Sequence, residues 1–587
     1  MLKILKYMKR RDWLYALCGL VFIICGVWLD LRLPDYMREI TTLVQTPGSE
    51  MGTVLRAGGS MLLCALGSLA ATAVTGFFVA RIAAGLAMRL REAVYNKTMD
   101  FSMEEISSFS TASLITRTTN DVQQIQMFAA MGLQAIIKAP ILAVWAIMKI
   151  AGKGWQWTAA TGVAVALLSA MLGTVIALVL PKFKSMQRLT DNLNRVTREN
   201  LTGIRVVRAY NAESYQEKKF ERANTDLTNT QLFTSRLMSM LFPGMTLIMS
   251  GLTLAIYWIG VYLINGAAIT ERLAIFSDMV VFSSYAMQII MAFMMLVMTF
   301  IILPRALVSA RRINEVLDTP AKIKDGTVTG SELFEQGEIQ FKNVSFRYPD
   351  AEEAILHNIS FSAHRGETVA FIGSTGSGKS TLINLVPRFY DATEGEILID
   401  GINIKDYTQE ALHKKLGYVS QRAVMFRGTV RSNVTYGDSG RGTIDEEMLW
   451  SSIDIAQAGE FVQSMEGGCD AAIAQSGTNI SGGQKQRLAI ARAIYRKPEI
   501  YIFDDSFSAL DFKTDRALRQ ALKRETGSTT TLIVAQRIGT IIDADQIIVL
   551  DQGQIVGKGR HKELLKNCPV YREIAESQLS KEEIESA

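Results

Sequence analysis

Long apolar runs set the first half of the chain apart from the second. A bilayer crossing needs about 20 apolar residues at about 1.5 Å each. Six runs reach that length, near Trp13–Leu33, Leu62–Ala80, Met131–Ile150, Trp157–Leu180, Leu247–Ile264 and Ile275–Leu303. The second half instead has short apolar strands and amphipathic helices, as in a soluble α/β domain. The pattern predicts a six-span α-helical membrane domain over 1–320, a linker over 321–336 and an α/β domain over 337–587.

Basic residues predict how the spans are oriented. Five precede the first span: Lys3, Lys6, Lys9, Arg10 and Arg11. The connections after spans two and four are long and basic, whereas those after spans one, three and five carry few Lys or Arg. Because positive charge stays on the cytoplasmic side, both termini are expected in the cytoplasm of a multi-pass plasma-membrane protein. The long connections predict helices that run beyond the membrane and turn near Phe101–Ser113 and Asn211–Phe220.

The last span is rich in methionine, at Met279, Met287, Met291, Met294, Met295 and Met298. Methionine is flexible and adapts to ligands of different shape, so the span could line a polyspecific apolar cavity. Ordinary helix packing or lipid contact explains the pattern equally well. Asp278 near the start of this span either attracts a cation into the cavity or lies at the outer interface in water.

Composition narrows the possible classes of protein. The 587 residues are too many for one hydrophobic core. The mean hydropathy of +0.17 is high for a soluble protein. A net charge of +5 is small for this length and does not indicate a nucleic-acid partner. The five cysteines show no C-x-x-C spacing, which argues against a zinc site or a disulfide framework.

A phosphate-binding loop lies in the second half, between a predicted strand at Thr368–Ile372 and a predicted helix from Leu382. Its residues fit G-x-x-x-x-G-K-[ST]: Gly373, Ser374, Thr375, Gly376, Ser377, Gly378, Lys379, Ser380 and Thr381. Glycines let successive backbone N–H groups face phosphate oxygens, and the lysine neutralises the β- and γ-phosphates. The Ser380 hydroxyl is placed to ligate Mg²⁺. The loop predicts binding of ATP with Mg²⁺.

Further motifs resemble those of ABC exporters, and the resemblance extends over nearly the whole chain. Thr116–Val122 and Gly203–Glu213 look like intracellular-loop patterns of that family, in which short transverse helices dock on the nucleotide-binding domains. The resemblance implies an adenine-stacking aromatic at Tyr348 and a glutamine loop at Gln421 that touches Mg²⁺ and the attacking water. Asp504, after the strand that begins at Tyr501, fits the Walker B position and would also hold Mg²⁺.

Two more motifs of the resemblance concern the subunit interface. The family's signature motif is matched by Ser481, Gly482, Gly483 and Gln484. In that family it acts on ATP bound by the opposite subunit, through a helix N-terminus that faces the γ-phosphate. Asp511 ends Ser-Ala-Leu-Asp and fits the D-loop at the dimer interface.

The chain departs from the family pattern at two catalytic positions. Asp505 stands where the family carries Glu. Because its side chain is one methylene shorter, its carboxylate lies about 1.5 Å short of the position that a Glu carboxylate would reach. Gln536 stands where the family carries the switch histidine. Glutamine donates a neutral hydrogen bond but cannot become cationic. The residues that bind ATP are therefore present, while two groups that assist its hydrolysis are changed.

The sequence thus predicts one half of an ABC exporter for small hydrophobic or amphipathic compounds, paired with a non-identical subunit that supplies Glu and His. A homodimer that hydrolyses ATP slowly is the alternative. A lipid or peptide exporter, an importer on the same fold, and a nucleotide-gated channel or regulatory subunit also remain open.

Overall fold

The computed structural model describes residues 2–46, 49–151, 154–330, 337–437, 443–525 and 527–579. The end of the predicted linker, 331–336, lies outside the described residues. The chain divides into two compact units. The first, called the membrane unit below, contains the residues up to Met99 and Ala112–Thr319. The second, the ATPase unit, contains Asp100–Thr111 and the residues from Pro320 onward.

Six helical segments among the described residues are long and apolar enough to cross a membrane. Each contains one of the six predicted apolar runs, so the six-span prediction is confirmed. Two short π-helical stretches, Arg117–Asp121 and Phe128–Gly132, interrupt the third segment. The helices up to residue 318 are α1 Leu2–Leu5, α2 Arg10–Gln45, α3 Met51–Met99, α4 Met103–Phe109, α5 Thr111–Thr116, α6 Val122–Met127, α7 Leu133–Ile150, α8 Trp155–Thr202, α9 Ile204–Ala209, α10 Glu213–Ser239, α11 Leu241–Gly266 and α12 Ile269–Asp318.

Three of these helices are much longer than a bilayer requires. Helices α3, α8 and α12 have 49, 48 and 50 residues. At about 1.5 Å per residue each is more than twice as long as the hydrocarbon layer of roughly 30 Å is thick. A large part of each helix must therefore extend beyond the membrane.

Short helices form the two predicted turns. After α3, the helix α4 begins at the N-cap Ser102, and Glu105 completes its capping box. The second turn was predicted over Asn211–Phe220, which is too late in the chain. It occupies 203–212, because Gly203 ends α8, Asn211 adopts a left-handed φ of 49°, and α10 already begins at Glu213.

Arg117 and Asp121, from the first intracellular-loop pattern, are buried and join the third helical segment to α12. The Arg117 guanidinium donates to the Arg312 carbonyl oxygen (2.6 Å) and to Glu315 Oε2 (3.0 Å). Asp121 Oδ1 accepts a hydrogen bond from the Ser309 hydroxyl at 2.8 Å. The first pattern thus contributes to helix packing inside the membrane unit.

The described part of the ATPase unit contains two larger sheets and a two-stranded one. The strands are β1 Ile339–Phe346, β2 Leu356–Ala363, β3 Thr368–Gly373, β4 Glu394–Ile399, β5 Ile402–Asn403, β6 Leu416–Val419, β7 Gly428–Thr429, β8 Ala472–Ile473, β9 Ile500–Asp504, β10 Thr530–Val534, β11 Gln546–Asp551 and β12 Gln554–Gly559. The strand order is β2-β1-β4-β5 in the first sheet, β12-β11-β3-β10-β9-β6 in the second and β7-β8 in the third. The helices are α13 Lys379–Leu385, α14 Gln409–Lys414, α15 Val430–Val434, α16 Glu446–Ile455, α17 Gly459–Ser464, α18 Gly482–Arg496, α19 Phe512–Glu525, α20 Ile538–Ile541, α21 His561–Asn567 and α22 Pro569–Gln578.

Five neighbouring strands of the six-stranded sheet, β11, β3, β10, β9 and β6, run parallel. Their side chains alternate between two apolar cores, with Ala370 and Ile372 in one and Val369 and Phe371 in the other. The sheet is therefore buried on both faces, as parallel sheets are. Because parallel strands end at the same edge, the loops that follow β3, β10, β9 and β6 come together there.

We expect Arg117→Ala to destabilise the membrane unit. The side chain is 11% exposed, and its loss leaves the Arg312 carbonyl oxygen and Glu315 without this donor. The expected loss of unfolding free energy is about 1.5–3 kcal/mol, the usual range for hydrogen bonds of charged groups. The shift in the midpoint of thermal unfolding of the purified protein measures this loss of stability. Arg195→Ala is the control, since Arg195 is 61% exposed and its pair with Glu199 contributes at most about 1 kcal/mol. Equal shifts for both variants would contradict the prediction.

Candidate nucleotide-binding site

Glycines permit the tight backbone of the phosphate loop. Gly378 has a φ of 94°, in the left-handed region. A Cβ atom at Gly373 would lie 2.0 Å from the Leu550 carbonyl oxygen, and one at Gly378 would lie 2.7 Å from a Leu356 methyl carbon. Larger residues would therefore force the loop away from β11, which carries Leu550, and from β2, which begins at Leu356. The predicted strand–loop–helix arrangement is the one observed.

The Lys379 side chain folds back over the loop. Its ammonium donates to the carbonyl oxygens of Gly373 (2.9 Å) and Ser374 (2.8 Å), and it lies 3.3 Å from Ser377 Oγ. Burial lowers the pKa of this ammonium, against the opposing effect of Asp505 and Asp504. The loop thus holds a cation where the motif predicts phosphate oxygens.

Ser380 and Asp504 meet at the edge of the sheet. The Ser380 hydroxyl donates to Asp504 Oδ1 at 2.8 Å. Asp504 is the last residue of β9 and is 4% exposed, and burial raises the pKa of its carboxyl. A hydroxyl and a carboxylate are oxygen ligands that suit Mg²⁺, which takes its remaining ligands from phosphates and water. These two side chains therefore fit the predicted metal.

Asp505 is held by two amides. Its Oδ2 accepts hydrogen bonds from Gln536 Nε2 at 2.8 Å and from Gln421 Nε2 at 3.3 Å. The residue has a φ of 45°, which is unusual for a non-glycine, and its N–H donates to the Val534 carbonyl oxygen at 3.0 Å. Burial raises the pKa of its carboxyl. Gln421, predicted as a metal ligand, thus contacts Asp505.

Tyr348 lies beside the phosphate-loop helix. Its hydroxyl is 3.3 Å from Thr381 Oγ1, and its ring meets that of Tyr390 edge to face at 5.2 Å and that of Phe346 at 4.9 Å. The sequence analysis missed Tyr390, because nothing in the local pattern around it marks a site. The contacts fix the Tyr348 ring in one orientation.

The signature residues form a helix cap. The Ser481 hydroxyl accepts from the Gln484 backbone N–H at 3.3 Å, and the Gln484 side chain accepts from the Ser481 N–H at 2.8 Å. Ser481 and Gly482 are exposed at the start of the 15-residue helix α18. Asp511 likewise caps α19, since its carboxylate accepts from the Thr514 N–H at 3.0 Å. Both motifs leave a helix N-terminus accessible.

Two further glutamines hold the loops around Asp505, and the sequence analysis missed both. Gln578 of α22 donates to the Gln536 carbonyl oxygen and accepts from the Ile538 N–H, each at 2.8 Å. Gln486 of α18 is 2% exposed and donates to the Ser420 carbonyl oxygen at 3.3 Å. Gln486 therefore joins the signature helix to the loop that carries Gln421. The sequence gives no signal of these contacts, because polar residues are common on amphipathic helices.

The fold and the site define a P-loop ATPase domain on the same chain as a six-span membrane domain. Residues 356–508 match the family model described as ABC transporter, and residues 16–315 match the one described as ABC transporter transmembrane region. The chain belongs to the ABC transporter family. It is an ABC exporter, with an ATPase domain coupled to transport.

Three similar proteins illustrate this family. A multidrug resistance ABC transporter ATP-binding and permease protein of Lactococcus lactis is 30% identical over 99% of this chain and 95% of its own. An ATP-dependent lipid A-core flippase of Pseudomonas aeruginosa is 32% identical over 83% of this chain and 79% of its own. A solved bacterial Atm1-family ABC exporter with ATP bound superposes with a TM-score of 0.81 at 25% identity, covering 97% of this chain and 98% of that one.

We expect Gly373→Ala to weaken nucleotide binding at least tenfold. The added methyl group would overlap the Leu550 carbonyl oxygen and displace the loop. The affinity of the purified full-length protein for a fluorescent ATP analogue provides the measurement. Gly330→Ala is the matched control, because nothing lies within 4 Å of the added methyl there. Unchanged affinity in the Gly373 variant would show that the loop does not bind the phosphates.

Proposed function

We propose that this chain is the subunit with the degenerate ATP site in a heterodimeric ABC exporter of small hydrophobic or amphipathic compounds. The observation that carries this proposal is the environment of Asp505. Its carboxylate accepts hydrogen bonds from Gln536 and Gln421, where the family it resembles combines Glu with His. Residues 1–320 would form the transport domain, and 337–587 the nucleotide-binding domain.

The residues that bind ATP keep their expected chemistry. The loop from Gly373 to Thr381 would hold the phosphates, Lys379 would neutralise the β- and γ-phosphates, and Tyr348 would stack on adenine. Ser380 and Asp504 would hold Mg²⁺, with Gln421 beside them. When bound, Mg²⁺ neutralises charge on the phosphates. This half-site therefore retains ATP.

The same site is poorly equipped to activate water. The shorter arm of Asp505 places its carboxylate about 1.5 Å further from a water at the γ-phosphate than Glu would. Two amides hold the carboxylate in position, and Gln536 brings no positive charge. A general base usually accelerates the reaction roughly 10²–10⁴-fold, and a base that is out of position loses much of that acceleration. Hydrolysis here is therefore expected to be slow.

The signature motif supplies the other half of a competent site. Ser481 and Gly482 are exposed at the start of α18, so a second subunit can approach them. The helix N-terminus and glycine N–H groups suit the γ-phosphate on the partner's phosphate loop. A partner that carries Glu and His would then hydrolyse ATP at the shared site. Asp511 would lie at the same interface.

Support for an apolar substrate comes from α12. Met287 and Met291 lie one turn apart on one face of the helix and are 36% and 46% exposed, whereas Met279 is buried. The exposed pair is available to a ligand, a lipid or a second subunit. Asp278 forms an ion pair with Arg38 at 3.2 Å, which argues against a free anionic site for a cationic substrate. The multidrug resistance relative agrees with this substrate class, whereas the flippase relative favours a lipid.

Binding of ATP by both subunits would close the nucleotide-binding domains and favour the outward-facing state, because ATP has the higher affinity for the closed state. Hydrolysis at the competent site would reset the transporter. The basic N-terminus supports cytoplasmic termini in the plasma membrane.

Purification of this chain from its native membrane under mild conditions tests the partnership. We expect a second, non-identical ABC half-transporter in equal amount, identified by mass spectrometry. ATP-dependent dye uptake into inverted vesicles should then require both subunits. Two copies of this chain alone, pumping at full rate, would overturn the proposal.

The double variant Asp505→Glu with Gln536→His tests the degenerate site within that complex. We expect nucleotide trapping at this site to change from ATP to a mixture with ADP, while total ATPase activity rises at most about twofold, since one competent site already turns over. Each single variant should have a smaller effect, because the amide of Gln536 holds the residue at position 505. A homodimer would instead gain at least tenfold in ATPase activity, which contradicts the heterodimer.

A further inference from the structure

Arginines and aromatic rings cluster near the start of α2, where this helix packs on α3. The rings of Tyr15 and Phe78 stack with their centroids 5.5 Å apart, and the Phe77 ring lies 5.9 Å from that of Phe78. The Arg11 guanidinium lies over the Tyr15 ring, 5.5 Å from its centroid. At the other end of the row, the Arg81 guanidinium lies 5.4 Å from the Phe77 centroid. These five residues are called the arginine–aromatic cluster below.

The two arginines lie at the same end of the cluster. Helices α2 and α3 are consecutive spans and run antiparallel. Arg11 precedes Tyr15 by four residues, and Arg81 follows Phe77 by four residues. Each guanidinium therefore belongs to a residue about 6 Å further than its ring along the helix, toward the N-terminal end of α2. The rings lie on the side of the membrane interior, and the charges lie on the side of its surface.

The positive charge of the cluster is not neutralised by the protein. Among the residues that the structure describes, neither Arg11 nor Arg81 forms an ion pair with a carboxylate, and both are exposed. The first 29 residues of the sequence contain five basic residues and a single acidic one, Asp12. Asp12 is 7% exposed and pairs with Arg89 instead. The cluster therefore presents unmatched positive charge at the membrane surface.

The surface beyond the arginines is apolar. Phe22 extends the row of rings, since its centroid lies 6.3 Å from that of Phe78. It follows Tyr15 by seven residues and so lies about 10 Å deeper along α2. Phe22 is 36% exposed and Phe77 57% exposed. A cationic end that continues into exposed rings matches a phospholipid, which is charged at its head and apolar along its chains.

The arginines of the cluster differ from ordinary basic residues beside a membrane. Any basic segment attracts anionic lipids without a defined site, and Lys6, Lys9 and Arg10 supply such attraction here. Arg11 is in addition oriented by its ring and by the Tyr15 hydroxyl, which accepts from its Nε at 2.8 Å. The remaining N–H groups of a guanidinium form a planar fork that matches two phosphate oxygens. The cluster is thus a preformed acceptor for a phosphate group.

We propose that the arginine–aromatic cluster binds one anionic phospholipid in the leaflet on the N-terminal side of α2. Arg11 and Arg81 donate to the headgroup phosphate oxygens, and the exposed rings of Phe22 and Phe77 contact the acyl chains. In the predicted orientation this is the cytoplasmic leaflet. The inference goes beyond the proposed function, because it depends neither on the exported compound nor on the identity of the partner.

Native mass spectrometry of the purified, delipidated complex tests the site. The complex is titrated with short-chain phosphatidylglycerol or with phosphatidylcholine of the same chain length. Arg11→Gln with Arg81→Gln removes both charges, whereas Arg11→Lys with Arg81→Lys keeps them but removes the planar fork. Arg195→Gln with Arg198→Gln is the control, since it removes the same charge from exposed positions. These positions lie about 60 Å along α8 from its start, well beyond a hydrocarbon layer of roughly 30 Å.

The parent complex should bind phosphatidylglycerol at least fivefold more tightly than phosphatidylcholine. The glutamine variant should lose this preference to within twofold, and the lysine variant should lose at least half of it. The control should keep it. A lysine variant that binds like the parent would show attraction to basic charge without a built site, which overturns the proposal.

Three further results would also overturn it: no preference in the parent, an undiminished preference in the glutamine variant, or an equal loss in the control. A subunit seated on the cluster would exclude the lipid and give the first of these. A homodimeric complex would overturn the proposed heterodimer but leave this readout unchanged.

Discussion

The common edge of the parallel strands in the six-stranded sheet is the constraint on which the ATPase unit depends. Strands β3, β10, β9 and β6 are hydrogen-bonded neighbours, so their carboxyl ends must lie side by side. The phosphate loop follows β3, and Asp504 and Asp505 lie at the end of β9. Gln536 follows β10, and Gln421 follows β6. Residues far apart in sequence therefore meet within hydrogen-bonding distance, as the Ser380–Asp504 and Gln536–Asp505 contacts show. The two apolar cores on either side of the sheet keep that edge in register.

The chemistry at this edge follows from how Asp505 is held. The Asp505 carboxylate accepts hydrogen bonds from two neutral amides, which keep it in a fixed position. Gln578 holds the loop that carries Gln536, and Gln486 holds the loop that carries Gln421. In the proposed function, these contacts would favour retention of nucleotide over activation of water. The exposed cap at Ser481 remains available to another subunit. In the membrane unit, buried contacts of Arg117 and Asp121 join the third helical segment to α12.

Local patterns predicted much of this molecule. The six spans follow from run length, and the phosphate loop follows from glycine spacing, because both depend on neighbouring residues. The convergence of Gln421 and Gln536 on Asp505 depends on strand order, which no local pattern reveals. The contact of Arg117 with Glu315 was missed because the two residues lie 198 positions apart in the sequence. The second turn was misplaced because the left-handed φ of Asn211 lies in a stretch with ordinary helical character.

The chemical identity of the nucleotide at each site after turnover tests the central claim most directly. The purified complex would be loaded with radiolabelled ATP and Mg²⁺, quenched after a single turnover, and its bound nucleotides separated. Lys379→Ala in this chain assigns the signal, since it removes the phosphate-loop cation of this site only. We predict intact ATP at this site and ADP at the partner's, with the intact ATP lost in the Lys379 variant. Conversion of both nucleotides to ADP at equal rates would contradict the account.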